Sequence, residues 1–113
     1  MNLTYETAAD LLIVQIGEDR IDAASAIQFK EAMRSIVQVP SSRVLLDLSK
    51  VSFLDSSGLG AIVAVMKLIG PDRKLELAGL TPTVTKVMHL TRMDTVLRIH
   101  NQLPVVQGLR NAG

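Results

Sequence analysis

Near the middle of the chain, Val44-Leu45-Leu46-Asp47-Leu48 is a continuous run of strand length, apolar but for Asp47 and closely preceded by the helix-breaking Pro40-Ser41-Ser42. A strand with one wet face alternates apolar with polar residues. A run without alternation predicts a strand covered on both faces and placed centrally in a sheet. The rest of the chain has to supply the neighbours and covers of that strand.

On the amino-terminal side, Leu3 to Ala8 predicts an edge strand. After the Ala9-Asp10 turn, Leu12, Val14 and Ile16 alternate with Leu11, Ile13 and Gln15, which completes a hairpin. Gly17 to Arg20 is a loop, and Asp22 stands where a carboxylate can cap a helix running to about Val37. On that helix Ala26, Phe29, Met33, Ile36 and Val37 share one side, and Gln28, Glu31, Arg34 and Ser35 fall away from it. On the carboxyl side a second helix is predicted from near Ser56 to just before Gly70-Pro71, followed by a strand at Lys74 to Ala78. Thr81-Pro82 offers a capping hydroxyl and a proline at the first helical position, opening a third helix to about Leu90. Thr95 to Ile99 reads as a last strand, and Pro104 as the start of a short final helix. Strands alternating with helices place the chain in the α/β class, with a mainly parallel central sheet, an N-terminal β-hairpin and about four helices. At 113 residues it fits one domain, residues 1–113.

Composition narrows the function. Twelve Lys and Arg against eleven Asp and Glu, with only Tyr5, Phe29 and Phe53 as aromatics, give neither the basic excess nor the stacking platforms that nucleic acid rewards. The absence of cysteine removes disulfides, thiolate nucleophiles and sulfur ligands, and suits a reducing compartment such as the cytoplasm. The apolar stretch Val51 to Met66 falls short of the roughly 20 residues of a membrane span, and Met1 to Glu6 lacks the pattern of a secretory signal. His89 and His100, the only histidines, predict neither a metal site nor a triad with a serine, and no phosphate-binding glycine loop with Gly-Lys occurs. No cofactor is expected, nor catalysis by this chain.

Attention falls on Asp55-Ser56-Ser57-Gly58-Leu59-Gly60, a turn between a strand-like run and the second helix. It lies at the carboxyl edge of the sheet, where open α/β sheets bind their ligands. Asp55 or Ser56 can cap the helix, which leaves the Ser57 hydroxyl in the first turn free of any core role. Two glycines in one helical turn, Gly58 and Gly60, imply close approach by another backbone or molecule, although a helix start that is merely well capped accounts for the same residues. On a helical wheel Leu59, Ile62, Val63, Met66 and Ile69 form the sheet-facing side. Gly60, Ala61, Ala64, Val65 and Leu68 form the outer side, with Lys67 its single charge, and read as a docking surface or as a face under the final helix.

These segments, Val44 to Leu48, Val51 to Leu54 and Asp55 to Gly60, resemble the core motif of STAS-domain anti-sigma-factor antagonists. Ile21-Asp22-Ala23-Ala24 resembles the family's opening of the first helix, and Thr81-Pro82-Thr83-Val84 its third-helix start. The resemblance implies that Ser57 accepts a phosphate. It further implies that Asp22, Asp55, Ser56, Ser57, Gly58, Gly60, Ala61, Ala64 and Leu68 face a partner. That partner would be an anti-sigma factor with serine kinase activity, sequestered while Ser57 is unphosphorylated, and a phosphoserine phosphatase would reset the switch. The alternative is a STAS subunit of a lipid-transport or stress-signalling assembly that docks without phosphorylation. Two segments depart from the family pattern: Gly17 to Asp22 is a longer loop, and Thr91-Arg92-Met93 stands where Thr-Gly-Leu is common.

Overall fold

The computed structural model describes residues 1–103. The N-terminal hairpin pairs β1 (Leu3–Ala8) with β2 (Leu11–Ile16), turning at Ala9, whose φ of 52° lies in the left-handed region. The chain continues through β3 (Arg20–Ile21), α1 (Ala26–Ile36), β4 (Arg43–Asp47), β5 (Phe53–Leu54), α2 (Ser56–Ile69), β6 (Lys74–Ala78), α3 (Pro82–Leu90), a 3-10 turn (Met93–Thr95) and β7 (Arg98–His100). The main sheet has the order β1-β2-β4-β6-β7, which places the apolar run of β4 at its centre as expected. Its valine and leucines are fully buried.

The sheet is mixed: β1 and β2 are antiparallel, and the pairs β2·β4, β4·β6 and β6·β7 are parallel. Three α-helices and one 3-10 turn occur among the described residues where about four helices were expected, and the helix expected from Pro104 lies outside the described residues. The expected strand Thr95 to Ile99 is also corrected. Its first residue closes the 3-10 turn, and pairing begins only at Arg98, because the turn draws Val96 and Leu97 into backbone hydrogen bonds with Met93.

Alternate strand residues divide two faces. Leu12, Val14, Val44, Leu46, Leu75 and Leu77 meet Phe29 and Met33 of α1, Ile62 of α2, and Val84 and Met88 of α3 in one core. On the opposite face Ile13, Leu45 and Ala78 form a smaller cluster with Leu11 and Leu103. That face also buries two charged residues, Asp47 and Glu76. Glu76 is satisfied by both Arg43 guanidinium contacts, at 2.7 and 2.8 Å, and by His100 Nε2 at 2.6 Å. Its carboxyl is held down at about 2, first by the Arg43 hydrogen bond and against the cost of burial.

A second, two-stranded parallel sheet was not anticipated. It pairs Arg20 with Phe53 and Ile21 with Leu54. Because β3 leads into α1 and β5 into α2, this pairing brings the amino-terminal ends of the two helices side by side.

Candidate functional site

Asp55 is the cap of α2. Its extended backbone precedes the first helical residue, and Oδ1 accepts the Gly58 N–H at 2.8 Å. Oδ2 accepts the Ala23 N–H at 3.2 Å, so one carboxylate serves both helix entries. Of the two caps the sequence allowed, the aspartate therefore holds the position, and Ser56 becomes the first helical residue with an exposed side chain. Ser57 follows it, also exposed, and neither serine forms a side-chain hydrogen bond to a described residue.

Asp22 is not the cap of α1. Its Oδ1 accepts from the Ala24 and Ser25 N–H groups at 3.1 and 3.2 Å, closing a turn ahead of the helix, and Ser25 occupies the cap position. The turn intervenes because Ile21 is still tied to Leu54 in the small sheet, which places Asp22 one step before the chain can coil. Asp22 Oδ2 pairs with Arg20 Nε at 3.3 Å, and the Arg20 guanidinium lies 4.8 Å from the centroid of the exposed Phe53 ring. Arg20 and Phe53 thus lie beside Asp22, on the strand pair that leads into both helices. Sequence reasoning missed both, and the signal was the outward position of Phe53 beside inward Leu54 in a strand pair.

The glycines separate into two roles. A Cβ on Gly58 would lie 2.0 Å from the carbonyl oxygen of Ile21, so this glycine lets α2 seat against β3. Its close approach is internal, and Gly58 is buried. A Cβ on Gly60 would meet nothing within 4 Å, and the residue is exposed.

The outer face of α2 needs correction. Ala61 and Val65 are buried at 3% and 1% exposure, because α1 packs along that side of the helix. The wheel assigned them outward because α2 is apolar around most of its circumference, and periodicity alone cannot rank two covered sides. Ser56, Ser57, Gly60, Lys67 and Leu68 remain exposed and Ala64 half-buried, in a strip running from the helix start beside Lys30 and Arg34 of α1. Gly58 and Ala61 drop out of the surface that a partner can touch.

Both histidines are paired away from the serines, His89 Nδ1 with Asp94 at 3.0 Å and His100 with Glu76. The described residues hold no cluster of three or more His, Asp or Glu with metal-binding geometry. None of the described helices is long and apolar enough to cross a membrane.

The sequence matches the STAS domain family over residues 2–105. The chain belongs to the STAS-domain family of anti-sigma-factor antagonists. This STAS domain is 35% identical over 83 residues to the anti-sigma-B factor antagonist of Listeria monocytogenes, covering 72% of each chain. It is 30% identical over 111 residues to the anti-sigma-F factor antagonist RsfB of Mycobacterium tuberculosis, covering 92% of this chain and 90% of that one. In fold it is similar to an anti-sigma-factor antagonist (STAS) domain protein from Planctomyces limnophilus, with a TM-score of 0.78, 21% identity and coverage of 88% and 89% of the two chains.

Proposed function

We propose that this STAS domain is an anti-sigma-factor antagonist whose binding is switched by phosphorylation of Ser57. In its unphosphorylated form it sequesters a partner that is both anti-sigma factor and serine kinase, and a phosphatase restores that form. The domain itself catalyses nothing: it presents the hydroxyl that the kinase uses and the surface that the kinase grips.

The observation that carries this reading is the division of labour at the α2 entry. Asp55 spends both carboxylate oxygens on backbone N–H groups, Gly58 is pressed against Ile21, and Ser57 between them is exposed. A hydroxyl with no structural duty on a rigid support suits a modification that changes binding without changing the fold. Gly60 and Ala64, which continue the strip, leave room for a partner to approach α2 closely.

The test is phosphate mapping by mass spectrometry on chain recovered from its own cells, together with the proteins it captures. Phosphate on Ser57, and capture of a protein that binds a sigma factor and phosphorylates the chain from ATP, are expected. Phosphate on Ser56 alone, or undiminished phosphorylation of a Ser57→Ala variant, would overturn the assignment.

A further inference from the structure

Far along α2 from Ser57, the late start of β7 leaves a gap. Strand β7 joins β6 only from the Glu76–Arg98 pair onward, so Lys74 and Leu75 have no strand partner on that side. The residues before Arg98 do not fill the space. They follow the 3-10 turn, which begins after Arg92 takes a left-handed φ of 59° to end α3, and Val96 is left 59% exposed. Between α2 and this turn lies a cleft of ≈ 600 Å³, lined by half-buried Met66 and exposed Val96 over the core residues Leu75 and Leu97, and by Arg73, Lys74 and Arg98. That volume falls in the range of small-molecule sites, about 300–1,000 Å³.

The charges decide what such a cleft can hold. Arg43 and Glu76 also line it, but they are paired with each other. Arg73 donates to the backbone carbonyls of Val37, Val39 and Ser41 and to the Ser41 hydroxyl, all uncharged acceptors. Lys74 and Arg98 are exposed and take part in no ion pair with a described residue. Lys74 and Arg98 are therefore two cations without a carboxylate partner among the described residues, and they border one cleft with Met66 and Val96, in a chain whose net charge is only +1. A cation pair beside hydrocarbon favours a ligand with an anionic head and an apolar tail: the head gains charge-assisted hydrogen bonds and the tail leaves water.

We infer that this cleft binds a small amphipathic anion, a phosphate or carboxylate carrying a short hydrocarbon chain, with Lys74 and Arg98 on the head and Met66 and Val96 along the tail. The site is separate from Ser57 and stands whether or not Ser57 is phosphorylated.

Calorimetry with octyl phosphate, octanol and inorganic phosphate as separate probes tests it, on the wild-type chain and on a Lys74→Glu/Arg98→Glu variant. Both replaced side chains are exposed, so the variant is expected to melt with the wild type. Octyl phosphate is expected to bind with a Kd of about 1 mM or tighter. Octanol and inorganic phosphate should each bind at least roughly tenfold more weakly, and the variant should lose octyl phosphate affinity by a similar factor. Chemical-shift changes on titration should centre on Leu75, Val96 and Leu97. Failure of octyl phosphate to bind, equal affinity for octanol, or full affinity in a folded variant would each overturn the inference. If the variant melts early, Val96→Glu, which places a carboxylate on an exposed wall residue, replaces it and is held to the same loss.

Discussion

At the scale of single residues, the α2 entry divides structural from exposed positions. Gly58 has no room for a side chain, since a Cβ would meet the backbone oxygen of Ile21 at 2.0 Å. Gly58→Ala is therefore expected to lower stability by about 1–3 kcal/mol, the usual cost of overpacking, read as a shift in urea midpoint at constant slope. Gly60→Ala should do the opposite: nothing lies within 4 Å of its Cβ, and alanine in a helix is favoured by about 0.5–1 kcal/mol. A destabilised Gly60→Ala chain would contradict this assignment. Phosphorylation of Ser57 adds about −1.5 to −2 charges at a helix start, where the dipole favours them, so the free domain should melt nearly unchanged. At a docked surface the same group has to lose its water, and a penalty of about 3–4 kcal/mol weakens binding roughly a hundredfold or more. Calorimetry with the partner and thermal melts of both forms check the two halves, and Ser57→Asp, with less charge, should weaken binding only in part.

At the scale of elements, α2 has two covered sides and one open strip. One side lies on the sheet and the other on α1, which is why Ala61 and Val65 join Ile62 and Ile69 in the core. Ala64 stands at the edge of the open strip, close to Lys30 and Arg34. Ala64→Glu is expected to leave the fold intact, because the new carboxylate reaches those two cations or water, yet to reduce partner affinity at least tenfold by placing a charge in the contact. Unchanged affinity in a folded Ala64→Glu chain would show that the partner grips elsewhere. The third helix makes a related point. Thr81 was read as a hydroxyl cap, but its Oγ1 donates to the Val51 carbonyl at 2.7 Å and makes no cap bond. The hydroxyl thus ties α3 to the loop after β4 and leaves the entry of α3 to backbone geometry and Pro82.

At the scale of the whole molecule, stability in acid rests on the far face of the sheet, where Glu76 joins β4 to β7 through Arg43 and His100. Its carboxyl titrates at about 2 in the folded chain against 4.5 as the ordinary value. A depressed carboxylate contributes stability that is fully present above the unfolded value and is lost as pH falls through the folded one. The loss is therefore expected between about pH 4.5 and 2, and amounts to about 1–3 kcal/mol after allowance for the solvent exposure of Arg43. Glu76→Gln should flatten this part of the stability profile, measured by urea unfolding across that range. An equal acid slope in Glu76→Gln would place the acid-labile group elsewhere.

Much of this was written locally in the chain. The buried run Val44 to Leu48 demanded a central strand, the Leu11 to Ile16 alternation and the Ala9-Asp10 turn demanded a hairpin, and Gly70-Pro71 ended α2, since each depends on side chains and turns within a few residues. A cap at Asp55 or Ser56, with Ser57 in the first turn of α2, was legible for the same reason, because capping is a local transaction between a side-chain oxygen and the next few N–H groups, and the structure chose Asp55. What the sequence left open depended on contacts between distant segments. The pairing of Arg20–Ile21 with Phe53–Leu54 brought Ala23 onto Asp55, forced Gly58 against Ile21 and displaced the start of α1. The packing of α1 along α2 chose which apolar side of that helix is buried, and the turn after Arg92 postponed β7 and opened the cleft beside Lys74. Helical periodicity records how apolar a face is. Which of two apolar faces meets a neighbour is decided by the neighbour, and that is a property of the tertiary structure.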